Sequence, residues 1–430
     1  MQKKLTVLTA AVMMIVPTLG FAAMAGSNTV NSAAIVDGSI ATADIANAAV
    51  TGAKIASGTI TATQLATGSV TDAKITGPIS VSKLPVGTSS TTVAAGNHSH
   101  SGAVKYAQVV VVAKSGGDSN NPANAVAAIS DASATKPYLV RVMPGVYDIG
   151  NASVVMKPFV EMEGSGDTSV ITSTAASVDD WSCDAGTINM ANNSAIRNIK
   201  ILNTGSVDGL KLASGVVMSN VKASAENITV ITGSKTRRNE RNAGVCSQGA
   251  AGFATLNNVR LETHNYDGGH SNAAMVLDDS SMTITNSKLY STIYGNGGGG
   301  IHVLDCVDGR GGQGIGVTIV TNSHLEGFQE STDSGSAFWV SFCKKASISN
   351  STLVMNTVSD GIIDAGGTSD LTVVNTQIFA PNSAGEPSVW WGGTGTAKFV
   401  NSRIPGGFRD TTNMKLINNY DEIYNLIANQ

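Results

Sequence analysis

The sequence has few charged residues and few aromatic residues, and its formal net charge is only −4. Charged residues make up 13% of the 430 residues, about half the roughly 25% of an ordinary globular chain. Removing residues 1–25, which carry two lysines and no acid, would change the net charge from −4 to −6. The one basic cluster, 235–241, also contains Glu240. A mildly acidic chain of this kind is a poor binder of nucleic acid, so we expect no nucleic-acid partner.

Long apolar runs are also scarce, and the longest lies at the start of the chain. Lys3-Lys4 forms a basic start, Leu5 to Val16 an apolar run, and Ala23-Met24-Ala25 an A-x-A cleavage site. The run is too short for a transmembrane helix, and Pro17 follows it. We therefore predict a signal peptide at 1–25, a secreted or extracellular protein, and no membrane span after the signal is removed.

A consensus of apolar-x-apolar-x-Asn recurs through the second half of the chain, at intervals of roughly 22 to 38 residues. Its asparagines are Asn198, Asn220, Asn258, Asn286, Asn322, Asn350, Asn375 and Asn401. A short alternating strand that ends at Asn cannot bury its apolar side alone, so the repeats must stack as a solenoid. Asn suits a left-handed turn, and its side chain can bond to the Asn of the neighbouring coil.

The four cysteines lack the CxxC spacing of zinc and redox motifs. Aligning Gly300-Ile301-His302-Val303 with Ala337-Phe338-Trp339-Val340 of the next coil sets Cys306 on Cys343. Stacked strands lie about 4.8 Å apart, within the Cα distance that a disulfide tolerates. The pattern therefore leaves two alternatives open for this pair, a disulfide or two stacked free thiols.

Residues 33–85 follow a period of five, with one apolar residue per pentad. The apolar positions are Ile35, Ile40, Ile45, Val50, Ile55, Ile60, Leu65, Val70 and Ile75. This period fits neither a helix nor a simple strand, but it fits a chain that turns every few residues. Two architectures satisfy it: a single-chain square coil, which resembles pentapeptide-repeat proteins, or a three-chain shaft, which resembles phage and bacterial fibre proteins. We favour the shaft, because nine pentads give one chain a thin core.

The junction that follows contains Gly96-Asn97-His98-Ser99-His100, which looks like the G-N-H-x-H segments of phage tail-fibre proteins. Histidines two residues apart on an extended strand point the same way. In a homotrimer, His98 and His100 from three chains would offer six imidazole nitrogens to a transition metal. One chain supplies only two ligands, so the alternative is a polar linker with two exposed histidines.

The start of the solenoid resembles a known family. V-V-A-K-x-G-G-D, a short helix over 124–129, Y-L-V-x-V-x-P-G-V-Y, E-G-x-G-x-T-x-V and N-I-x-I-x-N-T resemble the opening of pectin methylesterases and related β-helix proteins. The resemblance covers about 109–204 and implies an all-β, right-handed parallel β-helix. We therefore predict a pentad-repeat β shaft over 26–85, a Gly/Ser/His junction over 86–106, a parallel β-helix over 107–410 and a C-terminal cap over 411–430.

The catalytic motifs of that family are missing. Val207-Asp208-Gly209-Leu210 stands where Q-A-V-A belongs, and the Q-D-T-L, D-F-I-F-G and G-R-P-W motifs have no counterpart. No catalytic residue is carried over, and the sequence favours a protein that is not an enzyme. Two polar stretches remain candidates for acid–base or metal chemistry, the loop-like segment with Glu262, His264, Asp267 and His270, and the insertion with Asp305, Asp308 and Arg310. Solvated loops between coils are the alternative for both.

Aromatic residues also align between coils. The alignment above sets His302 beside Trp339, with Trp390 or Trp391 two coils further on. If this side faces outward, the column is a surface on which sugars stack; if it faces inward, the rings belong to the core. A one-residue slip exchanges the two sides, so the candidate glycan-binding residues are His302, Trp339, Trp390 and Trp391.

Three functions stay open at this point. The first is a secreted, non-enzymatic surface or fibre-like protein, an adhesin whose β-helix head binds a polysaccharide or cell-surface glycan. The second is a carbohydrate-active enzyme, namely a lyase, an esterase or a tailspike-type hydrolase. The third is a structural subunit of an extracellular filament. The pentads and the H-x-H junction favour the first, with a homotrimer as the assembly and a transition metal as the one possible cofactor.

Overall fold

Two units make up the chain, Met1–His98 and Ser99–Gln430. The computed structural model describes residues 33, 35–61, 63–70, 105–205, 211–234, 240–266, 269–295, 301–307, 315–330, 335–341, 343–356, 362–367, 370–380, 387–393, 395–421 and 423–429. Strands hold 53% of the residues and helices 4%, so the protein is all-β as predicted. The predicted signal peptide at 1–25 lies outside the described residues.

The second unit consists of short strands joined by turns and loops. In chain order they are β1 (Gln108–Val112), β2 (Tyr138–Val142), β3 (Gly145–Asp148), β4 (Val154–Val155), β5 (Val160–Ser173), β6 (Ile188–Asn189), β7 (Ser194–Asn203), β8 (Leu212–Ser219), β9 (Lys222–Glu226), β10 (Thr229–Gly233), β11 (Arg241–Gln248), β12 (Phe253–Asn257), β13 (Arg260–Tyr266), β14 (His270–Leu277), β15 (Ser281–Thr285), β16 (Lys288–Tyr294), β17 (Ile301–Val307), β18 (Val317–Thr321), β19 (His324–Gln329), β20 (Gly335–Ser341), β21 (Lys345–Ser349), β22 (Thr352–Met355), β23 (Ile363–Gly366), β24 (Asp370–Val374), β25 (Gln377–Phe379), β26 (Val389–Gly392), β27 (Thr396–Val400), β28 (Met414–Ile417), β29 (Asn419–Tyr420) and β30 (Leu426–Ile427).

These strands build a parallel β-helix with three faces, and each coil adds one strand to each face. Face A contains β9, β12, β15, β18, β21, β24 and β27, and face B contains β10, β13, β16, β19, β22 and β25. Face C is a separate sheet of nine strands, β4, β6, β8, β11, β14, β17, β20, β23 and β26. Pairing within the faces is parallel, as in the predicted fold.

The core is built of residue columns that run along the axis. On face A, alternate residues of successive strands face inward and pair in register: Leu256, Ile284, Val320, Ile348, Val373, Phe399 and Leu416. Each is at most 1% exposed. The outward positions of β15 are Ser281, Thr283 and Thr285, and those of β21 are Lys345, Ser347 and Ser349, which is why the sequence alternates with a period of two.

The predicted asparagine turns are confirmed. All eight asparagines of the consensus have a positive φ, between 49° and 54°. The six from Asn258 to Asn401 directly follow a face A strand, and Asn198 lies within the long strand β7. Asn220 instead lies between β8 of face C and β9 of face A, and Asn227, with a φ of 51°, occupies the corner between faces A and B in that coil. The side chains also bond from coil to coil: Asn258 Nδ2 donates to Asn227 Oδ1 at 2.7 Å, and Asn375 Nδ2 donates to Asn350 Oδ1 at 3.1 Å. The repeat therefore encodes both the corner and the contact between coils.

Both ends of the solenoid carry a closing element. Helix α1 (Pro122–Ala128) begins two residues before the predicted helix, because Asn121 Oδ1 accepts the amides of Ala123 and Asn124 and Pro122 fits the first turn. Its Ala125 and Val126 are buried against the first coils. At the other end, β29 and β30 form an antiparallel hairpin after the last parallel strand. Among the described residues, no helix has the length and apolar character needed to cross a membrane.

The first unit differs from the predicted β shaft. Its described pentads each close one turn, with an amide bonded to the carbonyl three residues earlier; the donors are Ser39, Asp44, Ala49, Lys54, Thr59, Gln64 and Ser69. Thr42–Asp44 and Gly52–Lys54 are 3-10 helices, and no strand occurs between residues 33 and 70 as far as they are described. The expected β-strand structure is absent here because a tight turn every five residues leaves no extended run.

Candidate functional site

A column of residues in register runs along face C. In register, Cys246 pairs with Met275, Met275 with Asp305, and Asp305 with Trp339. The column continues from Trp339 to Asp364 and from Asp364 to Trp390. Trp339 and Trp390 therefore lie two strands apart, about 10 Å along the axis, with Asp364 between them.

Burial separates the two tryptophans of β26. Val389 and Trp391 point into the core, where Trp391 is 2% exposed, whereas Trp390 points outward and is partly exposed. On β20, Phe338 and Val340 are likewise buried, and Trp339 is partly exposed. Trp391 was a candidate glycan-binding residue in the sequence; its place in the core removes it, because neighbouring residues of a strand point to opposite sides.

His302 lies against Trp339, although its backbone position differs from the predicted one. In register His302 pairs with Ser336, three residues before Trp339, and its Nδ1 lies 2.9 Å from Ser336 Oγ. The imidazole and indole rings stack, with centroids 4.1 Å apart and planes at 30°. Burial, and then the nearby Arg241 and His270, hold the pKa of His302 well below its usual range. A neutral imidazole therefore supports one face of the Trp339 ring.

A polar chain continues from His302 toward the N-terminal coils. Asn272 Nδ2 donates to the His302 carbonyl at 3.1 Å, and Arg241 Nη1 donates to Asn272 Oδ1 at 3.2 Å. Arg241 is only 2% exposed, and its guanidinium lies 3.9 Å from the ring centre of Trp181. Trp181 was not predicted from the sequence, since it belongs to a segment outside the repeats.

Beneath these groups lies an apolar floor on the outer side of face C. Its buried members are Cys183, Leu212, Val217, Ala243, Cys246, Met275 and Leu277, and both Trp181 and Trp339 pack against it. All four cysteines are paired in disulfides, Cys183 with Cys246 and Cys306 with Cys343. The second pair is the one raised by the sequence alignment; the first links residues 63 apart and follows from no repeat.

The predicted polar loop is not a loop. Glu262 and His264 are outward residues of β13 on face B, and His270 is the first residue of β14 on face C. His264 Nε2 lies 3.9 Å from Glu262 Oε2, and its Nδ1 lies 2.9 Å from Thr292 Oγ1. Asp267 lies outside the described residues. The inward residues of β13 are Leu261, Thr263 and Asn265, in register with Leu289, Ser291 and Ile293 of β16. Two of the three are polar, so the apolar alternation that signals a strand is weak here.

Two further sequence candidates cannot be placed. His98 and His100, the candidate metal ligands, lie outside the described residues, as do Asp308 and Arg310. Asp305 occupies a strand position in the column of Trp339. Within the part of the chain that the structure describes, no group of three or more His, Cys, Asp or Glu residues is arranged to hold a metal ion.

No family model matches the chain, and no curated protein is significantly similar to it in sequence. Similar solved structures include pectin methylesterase PemA from Erwinia chrysanthemi, at 13% identity over 76% of this chain and 92% of that chain, with a TM-score of 0.36. Another is the A-module of mannuronan C-5 epimerase AlgE4 from Azotobacter vinelandii, at 13% identity over 70% and 91%, with a TM-score of 0.39. ORF18 of Geobacillus virus E2 aligns at 11% identity over 73% and 60%, with a TM-score of 0.42. Identities and scores this low transfer no activity, and the parallel β-helix rests on the strand pairing described above.

Proposed function

We propose that this protein is secreted and non-enzymatic, and that its β-helix head binds a polysaccharide or cell-surface glycan on the outer side of face C. The observation that carries the proposal is the column in which Trp339 and Trp390 lie two strands apart, both partly exposed, with Asp364 between them. Aromatic rings offer flat apolar surfaces to the C–H faces of pyranose rings. A carboxylate between the rings accepts hydrogen bonds from sugar hydroxyls.

The surroundings of the two tryptophans support a preformed surface. His302 stacks on Trp339, and the Arg409 guanidinium lies 5.7 Å from the ring centre of Trp390. Rings that are already held in place lose little conformational entropy when a ligand binds, which favours affinity. The carboxylate of Asp364 favours a neutral polysaccharide over a polyanion, because like charges repel.

The test is affinity gel electrophoresis of the full chain through soluble mixed-linkage β-glucan, dextran, xylan and polygalacturonate. We expect at least one neutral polymer to retard the chain, and we expect Trp339→Ala and Trp390→Ala to abolish most of this retardation. Phe253→Ala is the matched control, since Phe253 is an exposed aromatic residue of face A, on another side of the solenoid. The proposal would be refuted if both tryptophan variants are still retarded, or if no polymer retards the unaltered chain.

One observation favours a second candidate, a carbohydrate-active enzyme. Asp305 and Asp364 flank Trp339 in register, so their Cα atoms lie about 10 Å apart. Glycosidases use two carboxyl-bearing residues that flank the scissile bond. The same four polymers should be assayed for new reducing ends. Cleavage that Asp364→Asn abolishes would establish the enzyme, and polymers left intact would leave binding alone.

For the assembly, we propose that three copies of the chain join through the pentads. The described apolar pentad residues are 39–55% exposed, so one copy does not bury them. This exposure disfavours the square coil, in which the same residues would fill the interior. Three chains can bury such a narrow apolar stripe if each turns its stripe toward a shared axis.

In such a trimer His98 and His100 would offer six nitrogens to a metal, which elemental analysis for iron, zinc and nickel would detect. Filaments in electron micrographs would instead favour a structural subunit.

A further inference from the structure

The segment between β5 and β6 leaves the coil and folds over the outer side of face C. We call residues 177–185 the tryptophan loop, after Trp181. Its two ends are tied together, since Ser177 Oγ donates to the Ala185 carbonyl and accepts the Ala185 amide, both at 3.2 Å. Within it, Asp179 Oδ1 accepts the Trp181 amide at 2.8 Å. The loop is thus a closed turn with a fixed internal geometry.

Two contacts anchor the tryptophan loop to the solenoid. Cys183 forms a disulfide with Cys246 of β11, with Cα atoms 5.7 Å apart. The Cys183 amide also donates to Gln248 Oε1 at 2.8 Å, and Gln248 Nε2 donates to Asp278 Oδ2 at 2.6 Å. Both anchors of the loop are therefore on β11, and Gln248 in turn bonds to Asp278 in the next coil.

Trp181 shares its support with Trp339. Both pack against the apolar floor of face C, and Trp181 lies over the buried guanidinium of Arg241 while remaining partly exposed. Arg241 belongs to β11, three strands before Trp339 on β20, and Trp390 on β26 is two strands further. Five strand spacings correspond to about 24 Å along the axis. Aromatic rings spread over this length suit one elongated ligand.

We propose that the tryptophan loop is the N-terminal wall of the glycan-binding surface, and that Trp181 is a third stacking residue held in place by the Cys183–Cys246 disulfide. This inference rests on the proposed function and extends it to a longer ligand. Arg241 lies beneath Trp181 as a positioning residue, since its cation faces one side of the ring and leaves the other side for a sugar. The ligand is then a polymer or long oligosaccharide that spans several coils, and disaccharides bind weakly.

The test measures retardation of the full chain by each of the four polymers named above. We expect Trp181→Ala to weaken binding about tenfold, the range of a buried aromatic contact residue, and Trp181→Phe to keep most of it. The double variant Cys183→Ser with Cys246→Ser should weaken binding to a similar extent. Adding Trp181→Ala to that double variant should then change little, because the ring has already lost its position.

Loss of fold is checked separately. Each variant is melted by circular dichroism, and Gln248→Ala, which removes a loop anchor but keeps the disulfide, is compared with the cysteine variant. If Trp181→Ala binds as well as the unaltered chain while Trp339→Ala binds poorly, the wall is refuted and the glycan site stands. If Trp339→Ala also binds normally, the proposed function fails, and the wall fails with it.

Discussion

The solenoid and the pentad segment are both built from repeats, but the repeated apolar residues are buried in the solenoid and exposed in the pentad segment. In the solenoid, Leu256, Ile284 and the residues in register with them are at most 1% exposed. In the pentad segment, Ile35 through Val70 are each at least 39% exposed at the repeated position. A solenoid coil buries its apolar side on the next coil of the same chain, whereas the pentads have no such neighbour among the described residues.

The difference shows what a periodic pattern does and does not predict. A period of two that ends at Asn predicts the strand, the corner after it and its packing partner. The partner is predictable because the next repeat of the same chain covers the apolar side of the strand. A period of five predicts the turn, and each described pentad closes one hydrogen-bonded turn. It does not predict whether the same chain or another copy covers the apolar residues of the pentads. Four predictions probe this contrast.

The largest effect is expected on association. Changing Ile45 and Ile55 together to Asp places charges on the apolar stripe, so we expect the mass in solution to fall from trimer to monomer. The control is the pair Asn47→Asp and Ser57→Asp, which adds the same charge to exposed neighbouring positions and should leave the trimer intact. Light scattering measures both, and an unaltered chain that is already monomeric would contradict the trimer.

The next effect concerns the core of the solenoid. Phe399→Ala removes a ring that is 0% exposed and lies 5.1 Å from the ring of Phe408, so we expect a loss of about 3–5 kcal/mol of unfolding free energy in the coils around it. Ile55→Ala, at a position 39% exposed, should leave solenoid melting unchanged. Urea and thermal melts compare the two. Similar losses from both changes would show that the pentads also support the solenoid.

A smaller loss is expected at the asparagine corners. Asn286 has a φ of 54°, its Nδ2 donates to Asn257 Oδ1 at 3.0 Å, and its Oδ1 accepts from Asn322 Nδ2 at 3.4 Å. Asn286→Ala should cost about 2 kcal/mol, since a left-handed conformation costs Ala about 1–2 kcal/mol and hydrogen bonds are lost as well. Asn286→Gly should cost less, because Gly adopts this φ freely. Equal losses would mean that the side-chain bonds, and not the backbone, dominate.

The smallest effect is a dependence on pH. Burial lowers the pKa of His302 in the folded protein, so below about pH 6.5 the unfolded chain binds a proton that the folded chain does not. Stability is therefore full above the unfolded pKa and falls as the pH drops toward the folded pKa, by at most about 1.4 kcal/mol per pH unit. Urea titrations between pH 7.5 and 5 measure this slope, and His302→Asn should reduce it. An unchanged slope in that variant would assign the titration to another group.

Most of the solenoid could be predicted from sequence because its signals are local. Asn recurs at the corner because the backbone there is left-handed. Apolar residues alternate on face A because every second side chain packs in the core. Register on face C could not be predicted, since β17 and β20 carry buried residues on both sides and lack alternation. For that reason the alignment put His302 level with Trp339, three residues away from its partner Ser336.

The candidate site was predictable only in part. The tryptophans of β20 and β26 were found because they align two coils apart, but sequence did not decide which of Trp390 and Trp391 points outward. Trp181 and the Cys183–Cys246 disulfide gave no signal, because a loop that covers a face belongs to no repeat. Residues that contact each other over 63 positions of sequence need the fold before they can be recognised.

Nearest-neighbour stacking also determines how damage spreads through the molecule. Each strand of face B pairs with the strands of the coils before and after it, as β16 does with β13 and β19. A single cut in a connecting loop therefore leaves both neighbouring coils held by their ladders, and a weakened coil loosens its neighbours before it affects distant ones. We therefore expect proteases to release one coil at a time, and the Cys183–Cys246 and Cys306–Cys343 disulfides to hold the cut segments in place.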